Sequence, residues 1–352
     1  MNNPMTYIQN GDYQIPDLKL SQQPEKPLGK YGRMRKTYLK EHRPILYNQM
    51  LLSEKLYPHL LEIDETAQSR LEQILHTAAE YKKETKDCRK ADFLGINMEG
   101  PFISPAKKGA QDARNILPCN VEICDRFLKA SEGLVKFIGI APEESEHAAE
   151  FIREVHERVN ISLAHTNADY DTAMEACRAG ANHAVHLYNA MPAFTHRAPG
   201  VVGAVFDNKD VMAEIICDGI HIHPSVVRAT FQMMGADRMI LISDSMRATG
   251  MPDGQYTLGG LDVKVVGRLA TLVSDGAIAG SATNLMDCMR TVVKKMDLPL
   301  ETAVACATIN PARSLGVEEQ YGSLEAGKKA HVVLLDQDLE LKAVIKDGVK
   351  IR

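Results

Sequence analysis

Residues 161–191, ISLAHTNADYDTAMEACRAGANHAVHLYNAM, decide the fold. Two short apolar runs end on His165 and His186, and the segment between them reads as one helix. The helix reads as 169–178, with Gly180 where a helix C-terminal cap belongs. A strand, a helix and a second strand in this order form a βαβ unit, so the two strands are parallel. Both histidines then lie at the same end of the sheet.

Working outward, the same alternation extends on both sides. Six apolar runs occur: 92–100 (DFLGINMEG), 133–143, 159–166, 182–190, 211–221 and 238–245. Helical segments separate most of them, at 121–130, 144–159 and 169–178, and a longer loop, 191–210, joins the fourth run to the fifth. Continuous apolar strands alternating with helices predict a parallel sheet covered on both faces. After Ser245 the pattern predicts a β-hairpin excursion at 254–276, helices at 282–295 and 301–314, and a few antiparallel strands in the tail 322–352.

The 352 residues carry a net charge of -5, which argues against nucleic-acid binding by bulk electrostatics. No apolar run reaches the roughly 18 residues of a membrane span, and the first residues lack a signal-peptide pattern. Seven scattered cysteines without a CxxC pair fit a reducing, cytoplasmic setting.

The polar residues closing the six runs are Glu99, the pair Ala141-Pro142, His165, His186, Asp218 with His221, and Asp244. Catalytic groups gathered at the C-terminal ends of successive strands are the signature of a (β/α)₈ barrel. Glu with two His is a ligand set for a divalent ion, zinc above all, with a fourth position open to water; iron, cobalt and manganese are also compatible. Asp244 suits the general base that takes the proton of that water. His183, which begins a strand, reads as a hydrogen-bonded core residue, and Asp218 as either a site residue or a brace for its loop.

The stretches 97–111 (NMEGPFISPAKKGAQ), 164–191, 196–204 (HRAPGVVGA), 218–224 (DGIHIHP), 241–250 (LISDSMRATG), 275–285 (DGAIAGSATNL) and 308–336 resemble the N-acetylglucosamine-6-phosphate deacetylases of the amidohydrolase superfamily. They run in family order over about three-quarters of the chain. The resemblance implies a metal-dependent hydrolase that frees acetate from an amino sugar phosphate, with Glu99, His165 and His186 as metal ligands and Asp244 as acid/base. It further implies that His221 contacts the sugar and that Gln111 assists at the acyl carbonyl. Asn189 and Ala190 would offer donors to the phosphate, and Ile278, Ala279 and Gly280 would line the acyl and sugar pocket. Arg197 would reach the phosphate held by a neighbouring subunit, which implies a homodimer.

The family's opening strands, with their HxH or HxQ motif, have no counterpart before Glu99. The expected fold is therefore an amidohydrolase-type (β/α)₈ TIM barrel lacking its first two strands, over 89–322, with a remnant of the small β domain at 323–352. Residues 1–88 read as a basic α-helical arm: the stretch 26–43 carries seven Lys or Arg and one Glu, and 44–84 has helical periodicity. About residues 6–70 resemble the transposon-encoded TnpV proteins. A basic run of this kind is ordinarily a solvated face, so a second reading is a catalytically impaired fusion product. A third keeps the chemistry but changes the amino sugar to its epimer.

Overall fold

The computed structural model describes residues 7–10, 13–16, 28–84 and 89–352. Contacts divide the chain into two units, up to Leu75 and from His76 onward, with the division falling inside a helix rather than near residue 88.

The first unit opens with a hairpin, β1 (Tyr7–Asn10) and β2 (Tyr13–Pro16), paired antiparallel from Tyr7 opposite Pro16 to Asn10 opposite Tyr13. This corrects the wholly helical reading of the arm. The sequence signal is Gly11-Asp12 between two short runs, a two-residue pair of hairpin type. Then follow α1 (Lys30–His42), α2 (Pro44–Leu52) and α3 (Leu56–Glu84), the last of which crosses into the second unit. Pro44 begins α2, where its missing N–H costs nothing. Leu39, Leu56 and Leu60 make a small core with Leu28, Tyr47 and Met50 against it.

The second unit is an α/β fold. Its six-stranded sheet consists of β3 (Ile96–Phe102), β4 (Val135–Ile140), β5 (Asn160–Leu163), β6 (His183–Ala184), β7 (Met212–Ile216) and β8 (Met239–Ile242), in that order and all parallel. Helices α4 (Val121–Ala130), α5 (Ala148–Val155), α6 (Tyr170–Ala179), α7 (Gly200–Asp207) and α8 (Pro224–Met234) lie between successive strands. Helix α6 starts where the sequence places it: Asp169 accepts the Thr172 N–H, and Gly180 ends it at φ +124°. Helix α7 corrects the loop expected over 191–210. Its sequence, GVVGAVFD, has nearly every residue buried, so it shows no amphipathic stripe for periodicity to find.

The sheet is strongly curved. Neighbouring strands lie about 4.8 Å apart, so in a flat sheet β3 and β7 would be separated by about 19 Å. Yet Asn97 Nδ2 of β3 donates to Glu214 Oε1 of β7 across 3.2 Å. Side chains from the first and fifth strands therefore meet in an enclosed interior. Among the described residues, β3 and β8 are the outer strands.

After β8 comes an antiparallel sheet of three strands, β9 (Gly254–Leu258), β10 (Leu261–Val266) and β11 (Leu269–Leu272), one strand more than the hairpin read from sequence. Its apolar face (Val263, Val265, Ala270, Leu272) packs on Met246, Ala248 and Ala279, with Ala110 alongside. Helices α9 (Leu285–Met296), α10 (Leu300–Ala307) and α11 (Ile309–Leu315) follow. The chain closes with the antiparallel strands β12 (Val332–Leu335), β13 (Leu341–Lys346) and β14 (Val349–Lys350). Asp92 ties this last sheet to the approach to β3: Lys346 Nζ reaches Asp92 Oδ1 at 2.7 Å, and the Tyr321 hydroxyl donates to Asp92 Oδ2 at 2.8 Å.

Candidate metal centre and catalytic site

Three side chains converge at the C-terminal side of the sheet. His165 Nε2 lies 2.7 Å and His186 Nε2 2.5 Å from the same oxygen, Glu99 Oε1, and the two nitrogens are 3.1 Å apart. Glu99 is on β3, His165 follows β5 and His186 follows β6. Both histidines have positive φ, +45° and +32°, as do Tyr188, Ala190 and Asp244. Left-handed backbone costs a non-glycine residue free energy, and such strain gathers at functional sites.

The arrangement demands a positive charge. His165 Nδ1 sits 2.7 Å from the Lys107 carbonyl, which can only accept, so Nδ1 carries its proton there. In a neutral imidazole, Nε2 then presents a lone pair toward the Glu99 carboxylate, and two acceptors 2.7 Å apart repel. Burial favours the neutral carboxyl of Glu99, but hydrogen bonds from His165 and His186 outweigh it and hold its pKa far below the usual carboxylate range. Burial lowers the His186 pKa, yet the hydrogen bond and charge of Glu99 raise it, with a net rise to about 9. Three donors, two nitrogens and one oxygen, within 4.8 Å of one another suit a divalent cation better than a shared proton. Fixing the tautomer of His165 through its second nitrogen is also how ligating histidines are held. His186 Nδ1 is buried with no hydrogen-bond partner.

The trio opens into a cavity of about 770 Å³, also lined by Gln111, Asn189, Ala190, His221, Asp244, Ile278 and Gly280. Burial, and then the nearby Glu99 charge, push the Asp244 carboxyl up to about 6. His221 Nδ1 is 2.7 Å from Asp218 Oδ2, and Asp218 Oδ1 accepts the N–H groups of Ile220 and His221. Asp218 thus braces the loop, leaving His221 Nε2 as the group the imidazole can offer. Gln111 Nε2 donates to the Glu99 carbonyl at 2.8 Å. The Asn189 amide is turned back toward the carbonyls of His186 and Leu187, 3.3 Å from each.

One residue expected at the pocket lies elsewhere. Ala279 is fully buried in the apolar cluster under the three-stranded sheet, while its neighbours Ile278 and Gly280 line the cavity. Arg197, which the resemblance assigns to a neighbouring subunit's phosphate, is exposed on the 192–199 loop and does not line this chain's cavity. The buried Glu214 was missed by sequence reasoning, although a carboxylate inside the apolar run VMAEIICDGIH was a legible signal. His183 is the buried, bonded core residue expected, 3.0 Å from Glu214 Oε1 and 3.2 Å from Ser314 Oγ.

Comparison with known proteins fits this geometry. The model of the Amidohydrolase family matches residues 73–351. The chain belongs to the amidohydrolase family. Within it, the chain is 39% identical to the N-acetylglucosamine-6-phosphate deacetylase of Bacillus subtilis (strain 168), over 79% of this chain and 70% of that one. It is 35% identical to the N-acetylgalactosamine-6-phosphate deacetylase of Escherichia coli O157:H7, over 73% and 68% of the two chains. The crystal structure of N-acetyl-D-glucosamine-6-phosphate deacetylase from Mycobacterium smegmatis matches with a TM-score of 0.75 at 34% identity, over 81% of this chain and 74% of that one. This amidohydrolase chain spans 63–70% of the length of the curated deacetylases it matches. Residues 6–99 match a second family, described as transposon-encoded protein TnpV, which extends past the 6–70 read from sequence.

Proposed function

We propose that this chain is a metal-dependent amide hydrolase that deacetylates N-acetylglucosamine 6-phosphate, releasing acetate and glucosamine 6-phosphate. The observation that carries the reading is the convergence of Glu99, His165 and His186 on one point at the wall of a cavity that Asp244 also faces. These three residues would hold the divalent ion, for which the donor set favours zinc over iron, cobalt or manganese. Such an ion lowers the pKa of water and polarises a carbonyl.

The chain's own residues supply the rest. Asp244 takes the proton from the attacking water and delivers it to the leaving amine, acting first as base and then as acid. A carboxyl raised by burial is suited to that double duty. His221, fixed by Asp218, contacts the sugar through Nε2. One N–H of the Gln111 amide is engaged by the Glu99 carbonyl, and the other can donate to the acyl oxygen. Ile278 and Gly280 shape the acyl and sugar pocket. Ala190, held at φ +51°, turns main chain toward the phosphate, and Asn189 joins it by rotating its amide. The exposed position of Arg197 fits a guanidinium that serves a second copy's phosphate in a cytoplasmic homodimer.

In this reading the six strands are strands three to eight of an amidohydrolase barrel. A second cavity of about 330 Å³, lined by Asn97 and Glu99 of β3 and by Leu241 and Ile242 of β8, supports it. The test is acetate release by the purified chain with added divalent metal or with chelator. The reading expects turnover of N-acetylglucosamine 6-phosphate that needs metal and exceeds that of the unphosphorylated sugar. Preference for N-acetylgalactosamine 6-phosphate, the substrate named for the Escherichia coli relative, would shift the assignment to the epimer. No acetate from either ester with any of the four metals would favour the impaired fusion product.

A further inference from the structure

We propose that Glu214 is the positioning residue of the metal-ligand set, a role that rests on the metal-site reading above. Its carboxylate lies in the interior beneath the site and touches every element that carries a ligand except β5. Oε1 accepts from Asn97 Nδ2 at 3.2 Å and faces His183 Nε2 at 3.0 Å, and Oε2 lies 3.4 Å from the His186 main-chain N–H. The Glu214 carbonyl accepts the Leu187 N–H at 2.8 Å. Asn97 precedes Glu99 by two residues on β3. His183 and His186 begin and end the short segment around β6. One side chain thus cross-links the strand bearing Glu99 to the turn bearing His186, across the open interior and without passing through the intervening strands.

Burying a carboxylate among apolar strands is costly unless it is bonded, and stability does not require one there. What it supplies is register. The His186 backbone is held at φ +32°, a conformation that persists only when its surroundings over-determine it. The bond from Glu214 to the His186 N–H and the neighbouring bond from the Leu187 N–H to its carbonyl do this from below, while Asn97 sets the height of β3. Glu214 lines the smaller cavity but not the larger one that the ligand trio opens into, so it acts through Glu99 and His186 rather than on a substrate there.

The test compares the full chain with Glu214→Gln, Glu214→Leu and Asn97→Ala, the last removing the same cross-link from its other end if Glu214→Leu does not fold. Metal affinity is measured by competition with a chromogenic chelator, and ligand geometry by the visible spectrum of the cobalt(II)-loaded protein. Losing a partner beneath a ligand set costs about 10- to 100-fold in affinity. That loss is expected for Glu214→Leu and Asn97→Ala, with a shifted cobalt spectrum, while Glu214→Gln retains most of the affinity, its oxygen accepting the His186 N–H and its amide N–H donating to the Asn97 side-chain oxygen once that amide turns over. A merely structural Glu214 would lower the melting temperature of these variants and leave affinity and spectrum unchanged, and that result would overturn the proposal while the metal site stands. A wild-type chain that binds no metal would overturn the metal-site reading and this proposal together.

Discussion

The two units differ in how they treat charge. In the first, the Lys and Arg of the 26–43 run lie in a segment whose described charged residues are mostly exposed, and three leucines make most of the small core. Helix α2 has no fully buried residue: Tyr47 and Met50 are half-buried against that core, and Ile45 and Leu52 are each 85% exposed. In the second unit a set of titratable groups lies inside. Glu214, His165, His183 and His186 are all buried, among strands that are mostly apolar. The lesson lies in cost. Solvated charges are nearly free, whereas interior ones must be bonded or bound. A fold that places two imidazoles and two carboxylates within reach of each other gives up stability for chemistry. Activity should therefore follow the second unit, and the first should answer only to packing.

Three substitutions would break or sharpen that contrast. Asp244→Asn keeps the shape of the side chain but removes the proton acceptor, so turnover should fall by about 10²- to 10⁴-fold with metal content unchanged. A variant that keeps near wild-type turnover would remove Asp244 from the mechanism. Arg197→Ala should weaken use of the phosphorylated sugar by about 10- to 100-fold, the worth of a charge-assisted hydrogen bond, and leave the unphosphorylated sugar alone. Mixing it with Asp244→Asn protein should recover part of the activity if Arg197 serves the partner's site; no recovery would confine Arg197 to its own chain. The smallest functional effect is expected in the arm. Leu60 is fully buried, so Leu60→Ala should destabilise the first unit by about 2–5 kcal/mol, seen as an earlier thermal transition. Metal content and turnover should stay at wild-type level; a parallel loss of both would show that the two units are coupled.

How much could be read beforehand followed from how local each signal was. The βαβ unit of 161–191 was legible because cap, glycine and apolar runs are all short-range features. Glu99, His165 and His186 were legible as strand-end residues, but their meeting on one carboxylate oxygen depends on the curl of a six-stranded sheet, which no local pattern encodes. Helix α7 was hidden by being apolar on all sides, and the β1–β2 hairpin by the strength of the helical pattern that follows it. Ala279 was placed at the pocket as one of a motif of three, whereas the structure packs it into the apolar cluster between two cavity-lining neighbours. Glu214 was visible as a charge in an apolar run, but the cross-link from Asn97 joins residues 117 positions apart.

The central claim is that Glu99, His165 and His186 together hold one divalent ion. Elemental analysis of the purified full chain, dialysed after loading with zinc, tests it most directly when His186→Ala and Leu60→Ala are measured beside it. The account predicts about one ion per chain in the wild type and in Leu60→Ala, and less than a tenth of that in His186→Ala. Equal metal in the wild type and His186→Ala, or none in the wild type, would contradict it.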